Sequence, residues 1–328
     1  MEYKRLGSSG LMMSALSYGS WITFDEKSAQ SQRDCMQLAY DNGVNFFDNA
    51  EVYAGGESET VMGQILKESG WSRDSYIVSS KVFWGGDKPT QKGLSRKHVV
   101  DACHAALKRL QLEYIDLYYC HRPDANTPVE ETVRTMNSLI EQGKVLYWGT
   151  SEWPADLITQ AHAIASQYGL IGPTVEQPQY NMLNRDKMEK EFLRLFRDYR
   201  MGTTIWSPLA SGILTGKYMN GIPEGSRFSN PALGWLKDIY FQDGLDDLNL
   251  KLKQLTALSN DIGMTLAQLA IAWCLKNENV SSVILGATKK EQLIETMKAQ
   301  ELQTRLTPEI MVRIDQILAN VPTPERVF

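Results

Sequence analysis

The chain has 328 residues, of which 43 % are hydrophobic and 22 % charged, so its composition is that of a globular protein and not of a disordered or fibrous one. Its 34 basic and 39 acidic side chains give a net charge of −5, which provides no general basic surface for nucleic acid or anionic lipid. The four cysteines form no CxxC pair, and no apolar run approaches the length of a membrane span. We therefore expect a cytoplasmic protein with no metal site, no disulfide framework and no membrane insertion.

Short β-prone runs alternate with longer runs in which apolar residues recur every three or four positions. The chain begins with a predicted β-hairpin at residues 3–13, which contains Gly7-Ser8-Ser9-Gly10. The predicted strands that follow are 15–19, 46–48, 76–81, 115–121, 145–150, 174–177, 203–207 and 283–285. The predicted helices between them include 31–41, 57–67, 97–110, 130–142 and 155–168, whereas residues 218–247 form a long irregular stretch.

This alternation of strand and helix predicts parallel strands joined by right-handed crossovers. An open, doubly wound sheet would satisfy the same rule, but eight strands favour a closed (β/α)8 TIM barrel. The hairpin is then expected to close the bottom of the barrel. Since no linker divides the chain, we interpret residues 1–328 as a single domain.

In such a barrel, chemistry takes place where the strands end and the βα loops converge. Three successive predicted strands bring Asp48, Tyr53, Lys81 and His121 to that end. A carbonyl group that accepts a hydride needs a proton donor at its oxygen, and the phenol of Tyr53 is suited to that role. A nearby ammonium such as Lys81 lowers the pKa of a phenol, and a carboxylate such as Asp48 keeps a buried lysine charged. His121 can orient the carbonyl oxygen.

Each of these residues also has an ordinary structural interpretation. Asp48 could cap a turn, Tyr53 could be a half-buried aromatic side chain, Lys81 could extend to solvent, and His121 could be a structural histidine. A barrel aldolase that forms a Schiff base on Lys81 is a further hypothesis, but pairing with Asp48 would keep the amine protonated and poorly nucleophilic.

Several motifs resemble those of the aldo-keto reductase superfamily, and the similarity spans nearly the whole chain. They are DNAEVYAGGESE, SSKVFWGG, YYCHRPD and YWGTSEW. Longer segments, among them TIWSPLASGILTGKY and LAQLAIAWCLKNENVSSVILGAT, are similar to the β subunits of voltage-gated potassium channels. The resemblance implies a (β/α)8 barrel and an NADP(H)-dependent reductase whose catalytic tetrad is Asp48, Tyr53, Lys81 and His121.

Two positions depart from the channel β subunits. Those proteins usually have asparagine where this chain has His121, so the resemblance implies a more active reductase site here. They have arginine where this chain has Glu152, and because a carboxylate is a poor neighbour for phosphates, we leave Glu152 out of the predicted cofactor site.

No G-x-G-x-x-G motif follows a predicted strand, and the run from Gly212 to Lys217 has one residue too few between its glycines for a phosphate loop. A Rossmann domain and a nucleoside triphosphatase are therefore not supported, and the cofactor must bind to barrel loops. The resemblance implies that Ser151 and Gln177 bind the nicotinamide carboxamide and that Trp206 flanks the ring. It places the pyrophosphate near Lys217 and Arg227, and the adenosine end near Thr288 and Glu295. The complete predicted cofactor set is Ser20, Trp21, Asp48, Ser151, Gln177, Trp206, Ser207, Pro208, Leu209, Ala210, Ser211, Gly212, Lys217, Arg227, Gly286, Thr288, Gln292 and Glu295.

Aromatic side chains are expected to form the wall of the substrate site. Trp21, Phe83 and Trp84 follow predicted strands, and together with Tyr53 and His121 they form the predicted substrate-binding set. The predicted function is NADPH-dependent reduction of a small aldehyde or ketone. The alternative is a redox-sensing, cofactor-binding β subunit of a potassium channel, and the resemblance allows a homo-tetramer and a channel partner.

Overall fold

A computed structural model describes residues 1–240 and 246–323, in which eight parallel strands form a closed barrel. Each strand pairs with the next one along the chain, and the last pairs with the first, Val283 lying opposite Leu16. The strands are β3 (Leu16–Gly19), β4 (Phe46–Asp48), β5 (Ile77–Val82), β6 (Ile115–Cys120), β7 (Val145–Ser151), β8 (Val175–Gln177), β9 (Gly202–Ile205) and β10 (Ser282–Leu285). A (β/α)8 barrel was predicted, and this prediction is confirmed.

Helices surround the barrel. In the described parts of the chain they are α1 (Ala29–Asp41), α2 (Glu57–Ser69), α3 (Arg96–Leu110), α4 (Val129–Glu141), α5 (Ala155–Tyr168), α6 (Leu193–Tyr199), α7 (Trp235–Tyr240), α8 (Asp246–Asp261), α9 (Leu266–Lys276), α10 (Lys290–Met297), α11 (Ala299–Leu302) and α12 (Pro308–Leu318). The five predicted helices and eight predicted strands each begin and end within two residues of the observed bounds. Within these residues, no helix is both long enough and apolar enough to cross a membrane.

The prediction of a strand at residues 203–207 was wrong at its carboxyl end, where β9 stops at Ile205. Trp206 makes only an isolated bridge with Gln179, and Ser207 has the left-handed backbone angle φ of 56°. A residue with positive φ cannot continue a strand. The chain therefore leaves the barrel two residues earlier than expected.

The amino-terminal hairpin consists of β1 (Tyr3–Arg5) and β2 (Met12–Ser14), which pair antiparallel. Leu6 and Met13 are fully buried in one cluster with Phe46, which lies at the start of β4. Gly7 has φ of 57°, and a Cβ atom there would lie 2.3 Å from the amide nitrogen of Gly202, so the turn fits only glycine. The hairpin thus closes the amino-terminal end of the barrel, as predicted.

The stretch predicted to be irregular, residues 218–247, is partly helical. It contains 3-10 turns at Arg227–Ser229 and Pro231–Leu233, then α7 and the start of α8, while residues 241–245 lie outside the described residues. The ring of Phe228 lies 4.7 Å from that of Tyr218 and 6.3 Å from that of Tyr240. These aromatic contacts hold α7 against the segment that follows β9.

Glu176 on β8 is a buried acid in the barrel wall. Its side chain is 0 % exposed, one carboxyl oxygen accepts a hydrogen bond from Thr150 Oγ1, and the other has no partner among the described residues. Burial raises the pKa of Glu176 to about 8, against the opposing effects of the Thr150 hydrogen bond and the charge of Lys187. The folded protein therefore holds a proton on this group at neutral pH.

A raised pKa in the folded state makes the contribution of Glu176 to stability greatest at low pH. That contribution declines as the pH rises from the usual range of a glutamate toward about 8. We expect Glu176→Gln, which stays neutral, to raise Tm relative to the wild type by several degrees at about pH 8.5 and hardly at all at about pH 5. Thermal unfolding at both pH values tests this, with the exposed Glu113→Gln as control. A shift of Tm that is equal at both pH values would contradict the assignment.

Candidate active site

A buried ion pair connects β4 to β5 at the carboxyl end of the barrel. Lys81, which is 0 % exposed, donates from Nζ to Asp48 Oδ2 at 2.7 Å and to the carbonyl oxygen of Asn49 at 2.8 Å. The same Nζ lies 3.3 Å from the Tyr53 hydroxyl oxygen. The structure thus brings together three of the four residues predicted to be catalytic. The three N–H groups of the Lys81 ammonium match these three oxygen atoms in number.

The second carboxyl oxygen of Asp48 is also fully hydrogen-bonded. Oδ1 accepts from Ser79 Oγ at 2.7 Å and from Gln177 Nε2 at 3.0 Å, and Ser20 donates to the backbone carbonyl of Asp48 at 3.0 Å. A buried carboxylate is tolerated only when its oxygens are satisfied in this way. Asp48 is therefore fixed in position.

Tyr53 lies on a tight turn between β4 and α2. The following residues Ala54, Gly55 and Gly56 all have positive φ, which turns the chain sharply and leaves the Tyr53 hydroxyl beside Lys81. Burial raises the pKa of Tyr53, and the charge of Lys81 is the largest opposing influence. Lys81 acts in the predicted direction but does not overcome burial, so the phenol keeps its proton at neutral pH.

His121 follows β6 directly. Its ring meets the ring of Tyr53 edge-on at 5.9 Å and that of Trp84 at 5.0 Å. Burial, followed by the charges of Lys81 and Arg122, lowers the pKa of His121 well below its usual value. The imidazole is therefore neutral at pH 7, and its Nδ1 has no hydrogen-bond partner within the described chain.

Ser151 and Gln177 lie beside this tetrad at the ends of β7 and β8. Ser151 Oγ donates to the Gln177 carbonyl at 2.9 Å, and the Gln177 amide nitrogen bonds Asp48 and, at 3.3 Å, Thr204 Oγ1. Two residues that were predicted to bind a carboxamide are thus linked to the buried ion pair.

Glu152, which was left out of the predicted cofactor set, holds Trp206 in place. Its Oε1 accepts from Trp206 Nε1 at 3.0 Å and from the amide nitrogen of Gln179 at 2.5 Å, while Oε2 pairs with Lys187 at 3.2 Å. The carboxylate is thereby neutralised and directed at the indole. Because Glu152 directly follows β7, the rule that identified the tetrad at strand ends could also have identified Glu152 from the sequence.

The segment after β9 is wound into a tight left-handed loop. Ala210, Ser211 and Gly212 have φ of 46°, 56° and 96°, a sequence of angles that alanine and serine rarely adopt. Their amide groups, however, bond within the loop, to Ser207 and Leu209 at 2.8–3.1 Å. The amide groups of these three residues are therefore satisfied within the loop, in a turn that includes Pro208.

Two cationic side chains, Lys217 and Arg227, lie near this loop. A Cβ atom at Gly212 would lie 3.0 Å from Lys217 Nζ, so the lysine folds over the glycine, and the Arg227 guanidinium lies 5.3 Å from the Trp21 ring centre. Tyr240 of α7, for which the sequence carries no signal, accepts a hydrogen bond from Gln179 Nε2. Burial raises the pKa of Tyr240, and the adjacent Ser207 and Ser211 oppose that rise.

The predicted adenosine-binding residues lie after β10, around the start of α10. Gln292 Oε1 accepts from both the amide and the hydroxyl of Thr288, at 3.0 and 3.1 Å, and Glu295 Oε1 accepts from Thr265 Oγ1 at 3.0 Å. A Cβ atom at Gly286 would meet nothing within 4 Å. This end of the predicted cofactor site is open and polar.

Aromatic rings form the walls of the mouth. The Phe83 and Trp84 rings are 4.8 Å apart, and Trp21 lies 6.5 Å from Trp235. Together with the two cations at the β9 loop, these surfaces suit a ligand that has both flat rings and negative charge.

The Aldo/keto reductase family model matches residues 15–319. The chain belongs to this family. Its members are oxidoreductases that generally bind nicotinamide cofactors. The side chains described above fit such a cofactor, since the cationic ones can contact its phosphates and the aromatic ones its rings.

Three relatives of this family member are named as β subunits of voltage-gated potassium channels. The one from Oryza sativa subsp. japonica is 52 % identical and the one from Arabidopsis thaliana 51 % identical, each over 98 % of both chains. The one from Schizosaccharomyces pombe is 48 % identical over 98 % of this chain and 94 % of its own. The resemblance predicted from the motifs is therefore confirmed.

The buried pair predicts a large loss of stability when one partner is removed. Asp48→Asn keeps the shape but leaves the Lys81 ammonium without a counter-charge, so we expect a loss of about 3 kcal/mol in the free energy of unfolding. The double variant with Lys81→Met should recover part of that loss, because no buried charge remains.

Urea unfolding of both variants measures these effects. Asp101→Asn is the matched control, because it breaks the exposed pair of Asp101 with Lys97 and should change stability little. A cost of Asp48→Asn no greater than that of Asp101→Asn would show that the pair does not stabilise the barrel end.

Proposed function

We propose that this aldo/keto reductase uses NADPH to reduce aldehydes or ketones to alcohols, with Tyr53 as the proton donor. The observation that carries the proposal is the contact of Lys81 Nζ with both Asp48, at 2.7 Å, and Tyr53, at 3.3 Å. The ammonium stabilises the phenolate that forms when Tyr53 gives up its proton, and Asp48 keeps that ammonium charged and in place.

The electrostatics support a division of roles between Tyr53 and His121. When bound, the cofactor supplies a hydride to the carbonyl carbon. Tyr53 gives its proton to the carbonyl oxygen, which completes the alcohol, and it regains a proton from solvent. His121, which is neutral because its pKa is lowered, donates a hydrogen bond that orients the oxygen and does not itself supply the proton.

The cofactor residues are assigned along the same rim. Ser151 and Gln177 would bind the carboxamide, Trp206 would flank the nicotinamide ring, and Lys217 and Arg227 would neutralise the pyrophosphate. Thr288 and Gln292 would bind the 2′-phosphate, and Glu295 the adenine. The remaining predicted residues, which are Ser20, Trp21, Ser207, Pro208, Leu209, Ala210, Ser211, Gly212 and Gly286, would shape this track. A preference for NADPH over NADH follows from the 2′-phosphate assignment.

Tyr53→Phe removes only the proton donor. We expect it to lower the rate of aldehyde reduction by at least ~100-fold and to change NADPH affinity little, because the phenol contacts the substrate and not the cofactor. Fluorescence titration with NADPH and NADH, followed by turnover with a panel of aldehydes, measures both effects.

The control is Tyr40→Phe, which removes a hydroxyl bonded to Ser75 Oγ at 2.8 Å, away from the tetrad. Retained turnover in Tyr53→Phe would refute the role of the phenol. Failure of the wild-type protein to bind either cofactor would refute the proposed function as a whole.

A second candidate function is that of a redox-sensing β subunit of a potassium channel. The names of the three relatives favour it. A cytoplasmic homo-tetramer of a single-domain chain would suit such a role. Coexpression with a voltage-gated potassium channel tests it: copurification would support a channel partner, whereas steady turnover without copurification would favour a free reductase.

A further inference from the structure

Arg122 lies at the mouth of the site, directly after His121. Its Nη1 donates to the His121 carbonyl at 2.6 Å and lies 3.5 Å from Ser151 Oγ, and its guanidinium is 5.4 Å from the Trp84 ring centre. Since the Trp84 ring also lies 5.0 Å from that of His121, the side chains of Arg122, Trp84 and His121 form one continuous wall beside the other three tetrad residues. The side chain is half-buried, so its charge is poorly screened by solvent.

Arg122 differs from most other half-buried arginines because no carboxylate in the described part of the chain neutralises it. Arg73, Arg109 and Arg134 each pair with an acid at 2.5–2.7 Å. Among the residues that the structure describes, Arg122 has no acid within ion-pair distance, and its Nε and Nη2 make no hydrogen bond. A half-buried cation without a counter-charge is costly in a folded protein. Two free donors in a planar fork also match one carboxylate.

The charge of Arg122 reaches the reacting groups. It is one of the charges that lower the pKa of His121, after burial and Lys81, and it also acts to lower the pKa of Tyr53. The guanidinium, which bonds the His121 carbonyl at 2.6 Å, is therefore close enough to the tetrad for its charge to act on His121 and Tyr53. The positive charge of Lys81, in contrast, is already balanced by Asp48.

We propose that the substrate is a carbonyl compound that carries a carboxylate, and that Arg122 binds this carboxylate while Trp84 supports the carbon skeleton between the two groups. The proposal rests on the proposed function and deepens it by naming the substrate class. One negative charge on the substrate balances the charge of Arg122, which has no acidic partner within the described residues, and the planar carboxylate matches the guanidinium.

The experiment compares 2-, 3- and 4-carboxybenzaldehyde with their methyl esters, which have nearly the same shape but no charge. In the wild type, the best acid should have a higher kcat/KM than its ester. In Arg122→Gln, the ratio of kcat/KM for that acid to kcat/KM for its ester should fall by about 10- to 100-fold. Arg122→Lys should keep part of the ratio, because it keeps the charge but loses the fork.

The matched control is Arg134→Gln, which removes a guanidinium paired with Glu130 on the outer helix α4 and should leave the ratio as in the wild type. An unchanged ratio in Arg122→Gln would overturn the proposal. An equal loss for acid and ester would also overturn it, because Arg122 would then only support the wall.

A binding measurement separates this proposal from the proposed function. Calorimetric titration of the NADPH-loaded protein with the matching carboxybenzyl alcohol involves no turnover, because cofactor and ligand are both reduced, and the Kd of the alcohol should rise about 10-fold or more in Arg122→Gln. Reduction of both acids and esters without that change in Kd would sink the substrate class and leave the reductase intact. Absence of any carbonyl reduction by the wild type would instead count against the proposed function.

Discussion

The ion pair between Lys81 and Asp48 is the interaction on which the rest of the site depends. It joins two neighbouring strands at the end of the barrel, and every polar atom of the pair has a partner: Asn49 and Tyr53 on the lysine, Ser79 and Gln177 on the carboxylate. An ammonium can remain charged in this dry position only because the carboxylate is so well fixed. The closed barrel makes this possible, since it brings residues far apart in sequence to one rim.

The distribution of charge around the pair separates the tasks of the other residues. Lys81 is balanced, so its field acts locally on Tyr53 and holds back the rise in pKa that burial causes. The same field, together with burial, keeps His121 neutral and therefore suited to donate a hydrogen bond. Within the described residues, cations without an acidic partner are found further out, at Lys217 and Arg227 on one side and at Arg122 on the other. Among the described residues, positive charge is thus balanced at the Lys81–Asp48 pair and unbalanced at these outer positions.

The barrel and the positions of the tetrad could be predicted from the sequence because both depend on strand order. Alternating strands and helices imply a parallel barrel, and residues at strand ends then meet at one face. The loops could not be predicted in the same way. Tertiary contacts, which leave no periodic pattern in the sequence, determine three features of these loops. They are the internally hydrogen-bonded turn at Ala210–Gly212, the short helix that carries Tyr240 and the orientation of Glu152. The predicted end of β9 was wrong for the same reason, because the left-handed backbone angle of Ser207 depends on how the loop packs.

Glu152 shows that such tertiary contacts can give a residue a different role from the one that its charge suggests. Judged by charge alone, a carboxylate beside a cofactor track should repel phosphates. In the structure, however, Lys187 neutralises it and the Trp206 indole and the Gln179 amide occupy its Oε1. The charge of the carboxylate is therefore balanced by Lys187, and its effect is to fix the plane of Trp206. A ring whose plane is fixed is better placed to stack on another ring. Glu152, which was left out of the predicted cofactor set, thus orients Trp206, which was included in it.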